Sequence, residues 1–367
     1  MNIQLQPKPR GVALIIVMLT VFAMAVIVGA FVYAMKVEST LAYRTESEGE
    51  LQWVGRSGVE YAKWILALQK QVTGEEAFDG LNQFWAGGPG STNALVNPLE
   101  GVSMKDVPLG EAKFSIEIED ADRYLNINRV IQGDPRSLDF LLTFCGASSG
   151  EAADIAAALK DWVDRDSFQT PGGAESNDYY LTLVPPYIAK DGPIDSLDEL
   201  LKVKGVTPQI FWGPKAGAIA VKDRKMTLGL GSYSMSSLAG TVGLADVVRA
   251  ISSGQVNVNT APYPVLVAAL NGEEGMARNI MDMRAGPDGV DGTLDDAPAR
   301  NPGEIGRLMG GPAAGGGAGG AQPQFTTIST YFEVHVDAQL GQSKRRYVAL
   351  VQRLSTRDIR TLTFRGE

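Results

Sequence analysis

Pro9-Arg10-Gly11-Val12-Ala13-Leu14-Ile15-Ile16-Val17 opens a run, Val12 to Met35, that holds 24 residues and no charge. At about 1.5 Å per residue such a helix crosses a hydrocarbon core of roughly 30 Å. Lys8 and Arg10 precede the run, and Glu38, Glu46, Glu48 and Glu50 follow it. The basic-side rule therefore keeps the first residues in the cytoplasm and exports the remainder. An ordinary signal peptide has a shorter apolar core and a small-x-small site after it; here the glycine stands before the run. Further on, Leu51, Val54, Gly58, Tyr61, Ile65 and Leu68 recur at intervals of three and four, the spacing of a helix with one buried stripe. One helix is thus expected from Val12 to about Lys70, on the order of 90 Å long, its outer half packed on a sheet.

That sheet begins at Lys113-Phe114-Ser115-Ile116-Glu117-Ile118-Glu119, which alternates strictly between polar and apolar residues and reads as a half-buried strand. Near the other end, Phe325 to Asp337 and Arg346 to Arg353 form two further runs around Gln339-Leu340-Gly341-Gln342, a hairpin. Helical patterns fill the interval between them, at Ser137 to Phe144, Glu151 to Val163, Leu197 to Leu201 and Val265 to Leu270. The fold class is α+β: a long N-terminal transmembrane helix, an α/β sheet domain, and a large helical insertion. Leu125-Asn126-Ile127-Asn128 and Val256-Asn257-Val258-Asn259 each start a similar order of features, so the insertion reads as a duplication. Their asparagines are expected to bond neighbouring backbone at strand-to-helix junctions. The domain plan is 1–11 leader, 12–35 transmembrane helix, 36–128 first part of the sheet domain, 129–310 insertion (subdomains about 129–210 and 256–310), 311–321 glycine-rich loop and 322–367 closing strands.

A formal charge of −9 opposes binding of a polyanion, because no long-range field draws phosphates in. Leu200-Leu201-Lys202-Val203-Lys204-Gly205-Val206-Thr207 has the form of a helix-hairpin-helix turn, but without a basic patch it reads as a packing turn. Nucleic acid is not an expected partner. The single cysteine, Cys145, excludes an intrachain disulfide and sits among apolar neighbours as a buried thiol. The single histidine, His335, lies in an alternating strand. No nucleophile–base pair, open metal position or cofactor loop stands out, so the chain is not read as an enzyme.

Two stretches concentrate carboxylates. Asp161, Asp164, Asp166, Glu175 and Asp178 fall within 18 residues that also hold Pro171, Gly172 and Gly173. A turning chain that gathers them places like charges together, which a hard cation with six to eight oxygen ligands relieves. Without cysteine or histidine nearby the cation of choice is calcium, not zinc; the alternative is a solvated acidic loop. The second stretch, Gly286 to Asp296, carries Asp288, Asp291, Asp295 and Asp296 between glycines and lacks the closing glutamate of an EF-hand.

The basic leader ending at Gly11 and running straight into Val12 resembles the class III leader of type IV pilins and pseudopilins. Asp161-Trp162-Val163-Asp164-Arg165-Asp166, Gly173-Ala174-Glu175, Asp178-Tyr179-Tyr180, Pro185-Pro186-Tyr187, Asp195 to Leu201, Val203-Lys204-Gly205-Val206 and Val256 to Pro262, in that order, resemble the central signature of the general secretion pathway protein K family, the K-type minor pseudopilins of type II secretion. The resemblance implies a pilin-like domain with a SAM-like, helix-hairpin-helix-like insertion. It implies a single-pass protein of the inner membrane with a periplasmic head, cut after Gly11 by prepilin peptidase and methylated at Val12. It also implies structural calcium in the head, and the Gly286 to Asp296 stretch looks like the calcium loop of major pseudopilins. I-type, J-type and H-type minor pseudopilins and the major pseudopilin are the implied partners, and the tip of the pseudopilus the implied position. Two departures from the common pilin pattern are valine at the first mature position and Ile16 in place of the usual glutamate, the second being typical of the K type. The competing reading is a membrane-anchored calcium-binding adhesin or a related type IV pilus-like assembly subunit.

Overall fold

The computed structural model describes residues 12–90, 95–213, 241–308 and 324–367, with side chains omitted at 40–46, 302 and 307–308. Gly11 with the rest of the leader, and the glycine-rich segment 311–321, lie outside the described residues.

Helix α1 runs from Val12 to Gln69, which at about 1.5 Å per residue is roughly 87 Å. Its span Val12–Ser39 has a mean hydropathy of 2.9 and none of its most apolar window is covered by protein, the condition of a helix whose apolar partner is lipid. The outer half behaves oppositely. Leu51, Val54, Val59, Ala62, Ile65 and Leu66 are buried there, against a five-stranded antiparallel sheet. The chain then forms β1 (Val107–Leu109) and β2 (Ala112–Asp120) and leaves for the insertion. There it makes β3 (Leu125–Asn126), α2 (Ile127–Gln132), α3 (Pro135–Phe144), α4 (Ser149–Val163) and α5 (Pro208–Trp212). After residue 241 come α6 (Leu244–Val247), β4 (Val248–Arg249), β5 (Val256–Asn257), α7 (Tyr263–Ala269), α8 (Glu274–Arg284), α9 (Pro302–Leu308) and β6 (Phe325–Thr326). The chain returns to the sheet as β7 (Tyr331–Leu340), β8 (Ser343–Arg353) and β9 (Ile359–Gly366), giving the order β1-β2-β7-β8-β9.

The period of two sets the register. Phe114, Ile116 and Ile118 of β2 face α1, and Ile116 pairs with Val336 and Ile118 with Val334, so a one-residue slip would turn both apolar rows to solvent. α1 and the sheet share one core, and the insertion has a second core of its own built on α3, α4, α7 and α8. Leu125 and Ile127 pack into that second core, so the insertion starts before residue 129. β1 and β9, the two edge strands, were not singled out by the alternation of the sequence.

The expected single run from Phe325 to Asp337 is interrupted. Phe325 and Thr326 pair in parallel with Val256 and Asn257 of the insertion, whereas β7 starts only at Tyr331. The cause is competition for backbone donors. The Ser329 N–H donates to Asp79 Oδ2 at 2.9 Å, and the Thr330 and Tyr331 N–H groups donate to Asp122 Oδ2 at 2.7 and 3.1 Å, which takes this stretch out of the ladder.

α1 lies close to the sheet where it has no side chain. A Cβ on Gly58 would stand 2.4 Å from Val336 Cγ1, whereas one on Gly49 in the same helix would meet nothing within 4 Å. Gly58→Ala is therefore expected to lower stability by about 1–3 kcal/mol through overpacking, and Gly49→Ala to raise it by up to about 1 kcal/mol through helix propensity. Urea midpoints of the detergent-solubilised protein check both; equal effects of the two changes would refute this packing of α1 on β7.

Candidate metal centre in the insertion

Helix α4 delivers the first acidic stretch. Ser148 and Glu151 form a reciprocal capping box at its N-terminus, and the helix ends with Asp164 as C-cap. Asp161, in the last turn, is fully buried. Its carboxylate accepts from Thr170 N at 3.1 and 3.2 Å and from Ala174 N at 2.9 Å, so it folds the following loop back over the helix end. That turn brings together Asp164, Asp166 and Glu175, each offering an oxygen within 4.8 Å of the others.

Of the five carboxylates marked by the sequence in this stretch, these three converge. Asp161 lies beneath them, spent on backbone donors, and Asp178 is exposed. Asp166 Oδ1 accepts from Phe168 N, and Glu175 Oε2 from Ser176 N at 3.3 Å. Asp164 Oδ1 and Glu175 Oε1, by contrast, are buried without a donor, although Glu175 is only 3% exposed. A buried acceptor left unpaired costs roughly 1–3 kcal/mol, more when charged. Burial pushes the Asp164 carboxyl up, and Asp166 and Asp161 add to it. Burial likewise raises Glu175, with Asp161, Asp164 and Asp191 contributing. All of these are hard oxygen donors without nitrogen or sulfur, the set that calcium takes; the residues present fit a cation of that kind. Among the described residues no other group of three His, Cys, Asp or Glu side chains meets the same distance test.

Asp191 was not reached from the sequence. It lies outside the 18-residue stretch, yet its charge acts on both Asp164 and Glu175, and among the described residues it is one of three non-glycine residues with positive φ, at 53°. Asp191-Gly192-Pro193 carries turn residues that mark the bend, but nothing in the local sequence tells which acids it faces.

The second acidic stretch is arranged differently. Arg284, 3% exposed, grips Asp291 through two bonds of 2.9 and 2.7 Å and donates to the Val258 and Ala261 carbonyls. Asp288 Oδ1 accepts from Val290 N, and Asp295 from Asp288 N and the Thr293 hydroxyl. Asp296 accepts from Gly292 N and Thr293 N. Every carboxylate in this loop has a donor within the protein.

The asparagines of the two tetrads do more than cap. Asn126 accepts from Arg129 N, and Asn257 from Asn259 N, as local caps do. Asn128, however, grips the Ile194 peptide by accepting from its N–H at 2.7 Å and donating to its carbonyl at 2.9 Å; Asn259 grips the Ala299 peptide in the same way, at 2.8 and 2.9 Å. Ser196 with Glu199, and Asn301 with Glu304, follow two and five residues after each gripped peptide as reciprocal cap pairs. The helix-hairpin-helix-like turn is internal packing. Lys204 Nζ donates to the Gly172 and Gly173 carbonyls, and Gly205 at φ 83° leaves only 2.7 Å between an added Cβ and Ile155. Cys145 is buried, which pushes its thiol up.

Residues 124–212 match the family model described as Type II secretion system (T2SS), protein K. Type II secretion system protein K of Pectobacterium carotovorum is 26% identical over 223 residues, covering 56% of this chain and 61% of the relative. The Aeromonas hydrophila protein of that name is 23% identical over 67% of this chain and 76% of its own length. The Pseudomonas aeruginosa protein is 24% identical over 96% of this chain and 91% of its own length. A chain in the crystal structure of the GspK-GspI-GspJ complex from the enterotoxigenic Escherichia coli Type 2 Secretion System superposes with a TM-score of 0.59 at 19% identity, over 88% of this chain and 99% of that one. The aligned stretch thus spans under two thirds of the Pectobacterium relative and nearly all of the Pseudomonas one. The chain is thus similar to type II secretion system protein K, through the family model over 124–212 and through relatives along its length, and the structural neighbour shows the same fold.

Proposed function

We propose that the chain is a minor pseudopilin of type II secretion, held in the inner membrane by α1 with its head in the periplasm, acting as an assembly subunit at the tip of the pseudopilus. The observation that carries this reading is α1 itself: one helix whose apolar half meets no protein and whose other half is laid on the sheet, in a chain whose insertion matches the protein K model. I-type and J-type minor pseudopilins are the proposed immediate partners, supported by the printed assembly of the structural neighbour; the H-type and the major pseudopilin follow in the shaft. The repeated peptide grip of Asn128 and Asn259 supports reading the insertion as two copies of one helical unit.

Ile16 supports the tip position. In a filament of packed helices an unpaired buried charge costs several kcal/mol, and a carboxylate at that position would pair with the terminal ammonium of a neighbour. Ile16 has nothing to offer such a neighbour, which suits a subunit that need not dock beneath another. Labelling the head and imaging sheared pseudopili by electron microscopy should give single terminal labels; label repeated along the shaft rejects the assignment.

Prepilin peptidase is the proposed processing enzyme, cutting after Gly11 and leaving Val12 as the methylated N-terminus. Gly11→Val should retain the leader, seen by mass spectrometry of the membrane-extracted protein, and normal maturation of that variant excludes a class III leader.

Calcium is the proposed structural cation, bound through Asp164, Asp166 and Glu175, with Asp288, Asp291, Asp295 and Asp296 as the second, lesser candidate set. A ligand at a hundred times its dissociation constant adds about 2.7 kcal/mol to the native state, roughly 3–4 °C for a protein of this size. Chelation should lower the melting temperature by that order, and Asp164→Ala with Asp166→Ala should shrink the difference. Because the Asp164 and Glu175 carboxyls are raised, protons compete with the ion, and the calcium effect should weaken as pH falls through the acid range. Melting that ignores both calcium and chelator overturns the site.

A further inference from the structure

We infer that the cation site also controls an exposed apolar loop, so that an ion at Asp164, Asp166 and Glu175 fixes the segment from Leu181 to Ile188 in one conformation. This inference rests on the calcium reading above. The segment is unusual for a soluble surface: Val184 is 97% exposed, Ile188 66% and Leu181 45%. These bare side chains gain nothing from solvent, and the loop is held at its base and by Tyr187, whose hydroxyl donates to the Lys202 carbonyl at 2.8 Å.

Both ends of the loop hang from two consecutive residues. The Glu175 carbonyl accepts from the Tyr179 and Tyr180 N–H groups at 3.0 and 3.2 Å, and the Ser176 carbonyl from Leu181 N–H at 2.8 Å. At the far end, Ala189 N–H donates to Ser176 Oγ at 2.8 Å. Tyr180, fully buried, is the plug beneath the loop; its ring meets Trp162 of α4 at 5.1 Å and Tyr187 at 5.3 Å between centroids. The residue whose carboxylate points at the proposed ion is thus the residue whose carbonyl starts the loop. Lifting Glu175 out of the site breaks the anchor of Tyr179 and Tyr180 and drags Ser176, which ties down Ala189.

Charge supplies the drive for such opening. Without a cation, Asp161, Asp164, Asp166, Glu175 and Asp191 crowd one site, and the buried Glu175 Oε1 has no donor; moving Glu175 outward relieves the repulsion and solvates that oxygen. With a cation, the same movement must break a metal–carboxylate contact. Opening that releases the ion is suppressed by the factor 1 + [calcium]/Kd, roughly a hundredfold at a hundred times Kd.

Limited chymotrypsin digestion of the full chain in detergent, mapped by mass spectrometry, reads this opening. Cleavage within 177–189, at Leu181, Leu183 or Tyr187, should slow by roughly a hundredfold in saturating calcium relative to chelator, in the regime where cutting tracks the open population. The exposed Leu354, in the turn between β8 and β9, serves as reference and should be cut at the same rate in both. Ser176→Ala keeps every carboxylate while removing one anchor, so it should bind calcium normally and be cut within 177–189 roughly fivefold faster both with calcium and with chelator, the worth of one hydrogen bond, leaving the calcium ratio as it was. Terbium luminescence with calcium displacement measures occupancy separately. Occupancy with unchanged cleavage within 177–189 overturns the coupling and leaves the calcium site standing; no occupancy at all removes both.

Discussion

Asp79 is the residue on which the two halves of the head depend. It is fully buried at the point where the chain has left α1, and Arg353, from the end of β8, binds its Oδ2 at 2.5 Å. Lys70 Nζ stands 3.1 Å from Oδ1 as an ion pair. Burial alone would raise this carboxyl, but the two cations outweigh it and hold it below its ordinary value. Three charges removed from water cost several kcal/mol each unless their geometry repays it. Further bonds tie the group to both halves: Ser329 N–H donates to Asp79 Oδ2, Arg353 donates to the Ser329 carbonyl, and Asn257 of the insertion donates to the Asp79 carbonyl. A surface ion pair would contribute little, whereas losing one partner of this one leaves a buried charge alone.

A second carboxylate extends the junction into the insertion. Asp120, the last residue of β2, accepts from Asn257 Nδ2 and from the hydroxyls of Thr260 and Ser329, while Asp122 takes Ser253 N–H from one side and Thr330 N–H from the other. Burial and the neighbouring Asp122 push the Asp120 carboxyl up to about 7, the donors only partly opposing them. Every strand that crosses between the two cores thus passes a carboxylate that holds its backbone. Apolar packing is non-directional; these bonds are directional, and they set how the insertion is mounted on the sheet.

What was legible in the sequence follows from how local each cause is. α1, β2 and the β7–β8 hairpin rest on periods of 3.6 and 2 within their own residues, and Leu51 through Leu68 or Phe114 through Ile118 display them directly. The break at 327–330 was not legible, because the groups that cause it lie 250 and 208 residues away in sequence. The long reach of Asn128 and Asn259 to Ile194 and Ala299 escaped for the same reason, although the local capping by Asn126 and Asn257 follows from their residue type. β9 breaks its alternation at Arg360-Thr361, beside the register shift opposite Leu350 and Val351, and most of its residues are exposed at the sheet edge, so no buried row marks it.

The two acidic loops show why composition alone does not mark a cation site. The first holds five carboxylates and the second four, each set with glycines among it, and by count they are nearly alike. In the second loop each carboxylate is matched: Arg284 neutralises Asp291, and backbone N–H groups and Thr293 serve the others. Carboxylates that already accept well-aligned donors lose those bonds when they turn to an ion, so the gain from binding is reduced by what is given up. In the first loop Asp161 has taken the backbone donors for itself, which leaves Asp164 Oδ1 and Glu175 Oε1 buried and unmatched. An ion arriving there would meet two acceptors already free and would relieve both the repulsion and their desolvation. The difference between the loops is thus one of unspent acceptors, and it is set by a single buried aspartate at the end of α4.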